Sequence, residues 1–112
     1  MQIYHNPKCS NSLRALAQIQ SHGIEPEIIE YLQSSLEVDQ LQKVVEKLAL
    51  PVIGIVRTRE SVWVEQFHGN KYSDEELLAI LVEHPVLLQR PIVVTNTQAV
   101  IARPPEKVLQ IL

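Results

Sequence analysis

A single cysteine stands in a polar stretch near the start of the chain. Cys9 is the one cysteine among 112 residues, and His5, Asn6, Lys8 and Ser10 surround it. A lone cysteine is commonly a small buried hydrophobic residue, but the polar side chains around Cys9 are not typical of a hydrophobic core. A thiol at the start of a helix faces backbone N–H groups without internal partners, which lower its pKa and favour the reactive thiolate. We therefore predict that Cys9 is a nucleophile.

The elements on either side of the thiol indicate how it is held. Gln2–Tyr4 is typical of a short strand, and Asn6-Pro7 of a turn. A helix with regularly spaced apolar residues is predicted to follow Cys9 and to end near Gly23, where glycine serves as a C-terminal cap. A second strand over Glu27–Tyr31 completes a βαβ unit, which implies parallel pairing and a right-handed crossover.

The rest of the chain is predicted to supply helices, then a hairpin and a last helix. The segment Val52–Arg57 could be a strand or a short buried helix, and we favour helix only because of the family resemblance described below. Helices are predicted over Glu37–Leu48, over Glu60–Phe67 and from the capping box at Ser73 to Pro85. A hairpin follows, with strands Arg90–Val94 and Ala99–Ala102 joined by a turn at Thr95–Gln98. The last helix is predicted to begin at Arg103–Glu106. This order predicts an α/β, thioredoxin-like fold: a βαβ unit and a ββα unit with an inserted helical segment, forming a mixed four-stranded sheet in one domain, residues 1–112.

Composition and charge exclude several function classes. The net charge of −3 argues against nucleic-acid binding by bulk electrostatics. No apolar run approaches the ~20 residues that span a bilayer. One cysteine cannot form an internal disulfide and no secretory signal is recognisable, so we expect a cytoplasmic protein, and a monomer. An oxidised or modified Cys9 would need a resolving thiol from a partner.

A cysteine that attacks an oxyanion needs positive charge to hold the anion, and arginine suits this role because its planar donors pair bidentately with oxyanions. Three of the five arginines, Arg57, Arg90 and Arg103, stand at predicted element boundaries. The sequence leaves open whether they converge or are solvated surface charges. For Arg14 and Arg59 we expect surface positions.

Other cysteine chemistries fit the spacing less well. A low-molecular-weight phosphatase loop has five residues between cysteine and arginine, whereas four separate Cys9 from Arg14 and no glycine lies between them. Ser12 occupies the second position of a Cys-x-x-Cys motif, which disfavours a dithiol oxidoreductase. His5, four residues before Cys9, could favour the thiolate or could be a polar strand-end residue. The other histidines have no metal-ligand spacing, so no metal or bound cofactor is predicted.

Three motifs together resemble the glutaredoxin-coupled arsenate reductase family, whose relatives include Spx-type regulators. The similarity runs from Ile3 almost to the C-terminus and keeps the order and approximate spacing. The motifs are His5-Asn6-Pro7-Lys8-Cys9-x-x-Ser12, Arg90-Pro91-Ile92-Val93-Val94 and Arg103-Pro104-Pro105-Glu106.

The resemblance implies a reaction and roles for these residues. Cys9 matches the cysteine that attacks arsenate and forms an arsenate–cysteine adduct, and His5 matches a histidine near the thiolate. Glutathione then attacks the adduct as co-substrate, and glutaredoxin recycles the mixed disulfide. Pro91 is expected to be a cis-proline beside the site. The residues matched to oxyanion binding are Arg57, Arg90, Arg103 and Ser12.

The chain departs from the family pattern at one position. An arginine directly follows the serine in that pattern, whereas Leu13 stands here and Arg14 comes one residue later. One residue is a rotation of about 100° on a helix, so Arg14 is predicted to point elsewhere. Two alternatives stay open: an Spx-like regulatory module that binds other proteins, and a reductase of another thiol-reactive substrate such as a glutathione mixed disulfide.

Overall fold

The computed structural model describes all residues, 1–112, and the chain divides into two compact units. The first unit contains Met1–Ser34 and Arg90–Leu112, and the second contains Ser35–Gln89. The thiol and the two ends of the chain therefore belong to one unit, and the inserted helical segment is the other. That the whole chain is a single domain stays a prediction.

The first unit is built on a four-stranded sheet of order β2-β1-β3-β4. β1 pairs in parallel with β2 and antiparallel with β3, and β3 pairs antiparallel with β4. This mixed sheet confirms the predicted thioredoxin-like arrangement of a βαβ and a ββα unit. Strand β1, Gln2–Tyr4, has the predicted bounds. The other three strands are shorter than predicted: β2 Glu27–Ile29, β3 Ile92–Val94 and β4 Ala99–Ile101.

Two helices belong to the core of this unit. Helix α1, Ser10–Ser21, contacts a 3-10 helix, Pro105–Gln110, which stands where the sequence predicted the last helix. Apolar side chains from both helices and from the sheet form one buried cluster, which packs α1 against the strands. Its fully buried members are Ile3, Ala15, Ile19, Val93, Ala102 and Val108.

Gly23 ends the first helical segment in the manner predicted. Its φ of +77° lies in the left-handed region, and its N–H donates to the Gln20 carbonyl at 3.0 Å. A β-carbon at this position would meet no atom within 4 Å, so the demand for glycine comes from the backbone alone.

Replacing Gly23 with alanine is expected to lower the free energy of unfolding by about 1 kcal/mol, because alanine is strained at a left-handed φ. Urea denaturation measures the change. Gly54→Ala is the matched control: its added β-carbon would lie 3.5 Å from the Leu50 β-carbon, an ordinary contact. Equal losses in the two variants would contradict the argument.

The regular elements of the second unit are helices. Of the segment Val52–Arg57, for which we favoured helix, Val52–Ile55 forms a 3-10 helix, whereas Val56 forms an isolated antiparallel β-bridge with Leu88. The predicted capping box is present: Ser73 Oγ accepts from the Glu76 N–H at 3.1 Å, and Glu76 Oε1 accepts from the Ser73 N–H at 2.9 Å. The elements are α2 Val38–Leu48, α3 Ser61–Gln66, α4 Asp74–Glu83 and 3-10 helices at Val52–Ile55 and Pro85–Leu87. None of the helices is both long and apolar enough to cross a bilayer.

Candidate active site

The strand register brings four chain segments to one end of the sheet. Tyr4 pairs with Ile29 and Ile92, and Ile92 pairs with Ile101. Chain leaving β1, β2 and β4 and chain entering β3 therefore meet at this end. The segments are 5–9, 30–31, 102–103 and 90–91. Cys9, Arg90 and Arg103 therefore lie near the same end of the sheet.

Cys9 is the N-cap residue of α1, as predicted. Its backbone is extended, with φ −102° and ψ 122°, and its carbonyl accepts the first helical hydrogen bond from the Leu13 N–H at 3.0 Å. Its own N–H donates to the Asn6 carbonyl at 3.0 Å. The Asn6 side chain in turn accepts from the Lys8 N–H at 3.0 Å, which orders the turn ahead of the thiol. Cys9 is partly exposed.

Burial and hydrogen bonding act in opposite directions on the Cys9 thiol. Burial raises its pKa, but hydrogen bonds from the Ser12 N–H and the Arg90 guanidinium, the charge of Arg90 and a further N–H bond from Asn11 lower it more. The net pKa is below the ordinary value for cysteine. The orphan N–H groups of the first turn of α1 and one cation thus favour the thiolate.

Arg90 lies directly ahead of a cis peptide bond to Pro91, which confirms the predicted cis-proline; a second cis bond, Arg103–Pro104, was not predicted. Burial lowers the pKa of the Arg90 guanidinium, but hydrogen bonds and charge interactions with Cys9 and Tyr31 raise it further, so the net direction is upward. The Arg90 Nε is buried without a hydrogen-bond partner. The Arg90 guanidinium therefore interacts with the Cys9 sulfur as a cation.

Tyr31 is a residue that the sequence reasoning missed. It is fully buried, and it follows β2 at the same sheet end, where it interacts with the Arg90 guanidinium. The sequence placed Tyr31 inside the second strand. Its position two residues beyond the end of β2 had no signal in the alternation pattern.

His5 and Ser12 form a buried polar pair beneath the turn. His5 Nδ1 and Ser12 Oγ are 2.6 Å apart, and the Ser12 Oγ also accepts from the Asn6 N–H at 3.1 Å. Burial lowers the pKa of His5, and the nearby Glu30 carboxylate opposes this only in part. His5 acts on the turn through its hydrogen bond with Ser12.

Ser12→Ala is expected to cost about 1–3 kcal/mol of folding free energy, because it leaves the Asn6 N–H and the His5 ring without a buried partner. The turn that carries Cys9 should become more mobile, and the rate at which the Cys9 thiol is alkylated should change as a result. Ser10→Ala is the control, since Ser10 is exposed in the same first helical turn. Equal stability of the two variants in chemical denaturation would contradict this role for Ser12.

The other two predicted oxyanion ligands are placed as follows. Arg103 is exposed, two residues beyond β4, at the same sheet end as Cys9. Arg57 belongs to the second unit, where its N–H donates to the Leu87 carbonyl at 2.7 Å and its guanidinium pairs with Glu60 at 3.2 Å. That these two arginines join Arg90 around one anion stays a prediction. No group of three or more His, Cys, Asp or Glu side chains is placed to hold a metal ion.

Comparison with known proteins agrees with this geometry. The model of the ArsC family matches residues 4–111, which is nearly the whole chain. The chain belongs to the ArsC family. An arsenate reductase of Haemophilus influenzae is 41% identical over 98% of this chain and 97% of its own length. One from Escherichia coli is 37% identical over 98% of this chain and 79% of its own length. The structure of an arsenate reductase from Vibrio cholerae superposes with a TM-score of 0.94, at 45% identity, over 100% of this chain and 98% of its own.

The departure from the ArsC-family pattern has a visible consequence in the first turn of α1. Leu13 is 48% exposed, and Arg14 lies on another side of the helix, where its guanidinium pairs with Glu106 at 3.4 Å. Both partners of this ion pair are largely exposed. The prediction that Arg14 points elsewhere is confirmed, so it does not replace the family arginine.

Proposed function

We propose that this chain reduces arsenate to arsenite, with Cys9 as the nucleophile. The observation that carries the proposal is the Cys9 sulfur at the N-terminus of α1 with the Arg90 guanidinium against it. Relatives at 41% and 45% identity, matched over nearly the whole chain, are named arsenate reductases. A thiolate next to a fixed cation suits attack on a tetrahedral oxyanion, because the cation offsets charge as the anion approaches.

The chemistry divides into two balanced steps. The Cys9 thiol and arsenic acid form an S–As bond and release one water, which leaves arsenic in its pentavalent state. A second thiol then attacks the Cys9 sulfur: an S–S bond forms, the S–As bond breaks, and its electron pair stays on arsenic. Arsenite leaves with the proton of the second thiol. Arsenic gains two electrons, and each sulfur loses one.

The second thiol must come from outside the chain, since Cys9 has no internal partner. Glutathione fits this role as co-substrate, and glutaredoxin would then reduce the mixed disulfide. Both belong to the reducing cytoplasm, where thiols stay free, so a cytoplasmic location is part of the proposal. Within it, Arg90, Arg57 and Arg103 bind the oxyanion. The Ser12 hydroxyl is fully buried against His5 and the Asn6 N–H, so Ser12 takes part through its backbone N–H at the thiol, and His5 orders the Cys9 turn.

An assay with defined thiols tests the proposal. Arsenite formation is measured with arsenate, glutathione and glutaredoxin, and the same protein is offered a glutathione mixed disulfide without arsenate. We expect arsenite in proportion to glutathione consumed, and more rapid turnover on arsenate. Turnover on the mixed disulfide alone would overturn the proposal and would assign the chain to the reductases of other thiol-reactive substrates.

A further inference from the structure

A groove lies between the loops that follow β1 and β2, and residues 5–8, directly ahead of Cys9 in the chain, form part of its lining. Its volume is about 240 Å³. Pockets that enclose a drug-sized molecule measure ~300–1,000 Å³, so this groove suits one end of a small molecule. The residues that line it are His5, Asn6, Pro7, Lys8, Glu30, Leu32 and Gln33.

The polar lining of this groove is that of a zwitterion site. Lys8 offers an exposed ammonium group, Glu30 an exposed carboxylate and Gln33 an exposed amide. Leu32 adds an apolar surface that is 44% exposed. An α-amino acid group carries one carboxylate and one ammonium, which complement Lys8 and Glu30 respectively.

We propose that this groove binds the γ-glutamyl end of glutathione, with Lys8 on the α-carboxylate, Glu30 on the α-ammonium and Gln33 on the amide. The inference rests on the proposed function and adds the place where the co-substrate binds. Lys8 directly precedes Cys9, and the glutathione cysteine is one amide bond from its γ-glutamyl group. The γ-linkage places two methylene groups and an amide between the α-amino acid group and the glutathione cysteine, so this group and the sulfur can lie farther apart than the ~7 Å spanned by two ordinary residues. That reach lets the glutathione sulfur approach Cys9 for the second step above.

Steady-state kinetics with two thiols test the site. Lys8→Gln and Glu30→Gln are each expected to raise the KM for glutathione about three- to ten-fold, the loss of one charge-assisted contact at an accessible site. The KM for arsenate and the rate with 2-mercaptoethanol, which lacks the γ-glutamyl group, should not change. Lys107→Gln is the matched control, because Lys107 is an exposed lysine that does not line the groove. An unchanged KM, or equal losses with both thiols, would overturn the site.

A binding experiment separates this inference from the proposed function. S-methylglutathione cannot react, so its titration followed by NMR needs no turnover. We expect chemical-shift changes at the Lys8 and Gln33 amides, and weaker binding to Lys8→Gln than to Lys107→Gln. Such binding without arsenate reduction would refute the proposed function alone. Arsenate reduction without these shifts would refute the groove alone.

Discussion

Replacing Cys9 with serine is expected to abolish arsenate reduction, with a loss of at least about 10³-fold in turnover. The serine hydroxyl is not ionised at neutral pH, whereas the Arg90 guanidinium and the local N–H groups lower the pKa of the Cys9 thiol below its ordinary value. The substitution removes one polarisable atom and leaves the Arg90 guanidinium in place. Arsenate binding should therefore survive in part.

Two measurements separate these effects. Arsenite formation gives the loss of turnover, and isothermal calorimetry with arsenate gives the affinity that remains in Cys9→Ser. Because the substitution is nearly isosteric, thermal denaturation should show a folded protein. Arsenite formation that persists in this variant would remove Cys9 from the reaction. Complete loss of anion binding would instead mean that the sulfur itself, and not the arginine, holds the substrate.

The sequence predicted the framework around this thiol because the signals were local. The capping box at Ser73 and the turn glycine at Gly23 are each specified within a few residues, and both stand as predicted. The position of Cys9 at the start of α1 followed in the same way from a turn next to an apolar periodicity. Strand ends were less well predicted. Strands β2 and β3 are shorter than the β-branched runs that indicated them, because the extent of pairing with β1, and not composition, sets their length.

The contacts of the site that could not be predicted from the sequence depend on the pairing register of strands that are far apart in the chain. Arg90 meets Cys9 because Tyr4 pairs with Ile92, a contact between residues far apart in the chain. Tyr31 reaches the same point through the pairing of Tyr4 with Ile29. The link from His5 to Ser12 also needed coordinates, because only the folded turn brings Nδ1 within 2.6 Å of Oγ. Sequence spacing placed His5 near Cys9 but did not show that its hydrogen bond goes to the serine.

The second large effect is expected at Arg90. Arg90→Gln removes a cation and a hydrogen-bond donor that both lower the pKa of the Cys9 thiol. The pKa should rise, so less of the thiol is ionised at neutral pH and its alkylation by iodoacetamide should slow. The midpoint of the alkylation rate against pH should move to higher pH. Turnover should fall about 10²–10³-fold, as is typical when a fixed electrostatic contact to the reacting anion is lost.

Arg90→Lys and Arg14→Gln sharpen this test. Lysine keeps the charge but not the planar fork of donors, so its thiol pKa should lie between those of the wild type and Arg90→Gln. Arg14→Gln makes the same chemical change at an exposed arginine that pairs with Glu106, and neither turnover nor the alkylation profile should move. An alkylation midpoint that is the same in the wild type and Arg90→Gln would show that the helix N-terminus alone ionises the sulfur.

The same series decides the roles predicted for Arg57 and Arg103. Neither guanidinium is among the groups that shift the Cys9 thiol, so Arg57→Gln and Arg103→Gln should leave the alkylation midpoint in place. If they bind the oxyanion, both should raise the KM for arsenate, each by about ten-fold for one lost charge-assisted contact. A raised KM for arsenate with an unchanged alkylation midpoint identifies a substrate ligand. A change in both the KM and the midpoint identifies a residue that acts on the sulfur, as Arg90 does. Unchanged values of both would leave Arg90 as the single arginine of the anion site.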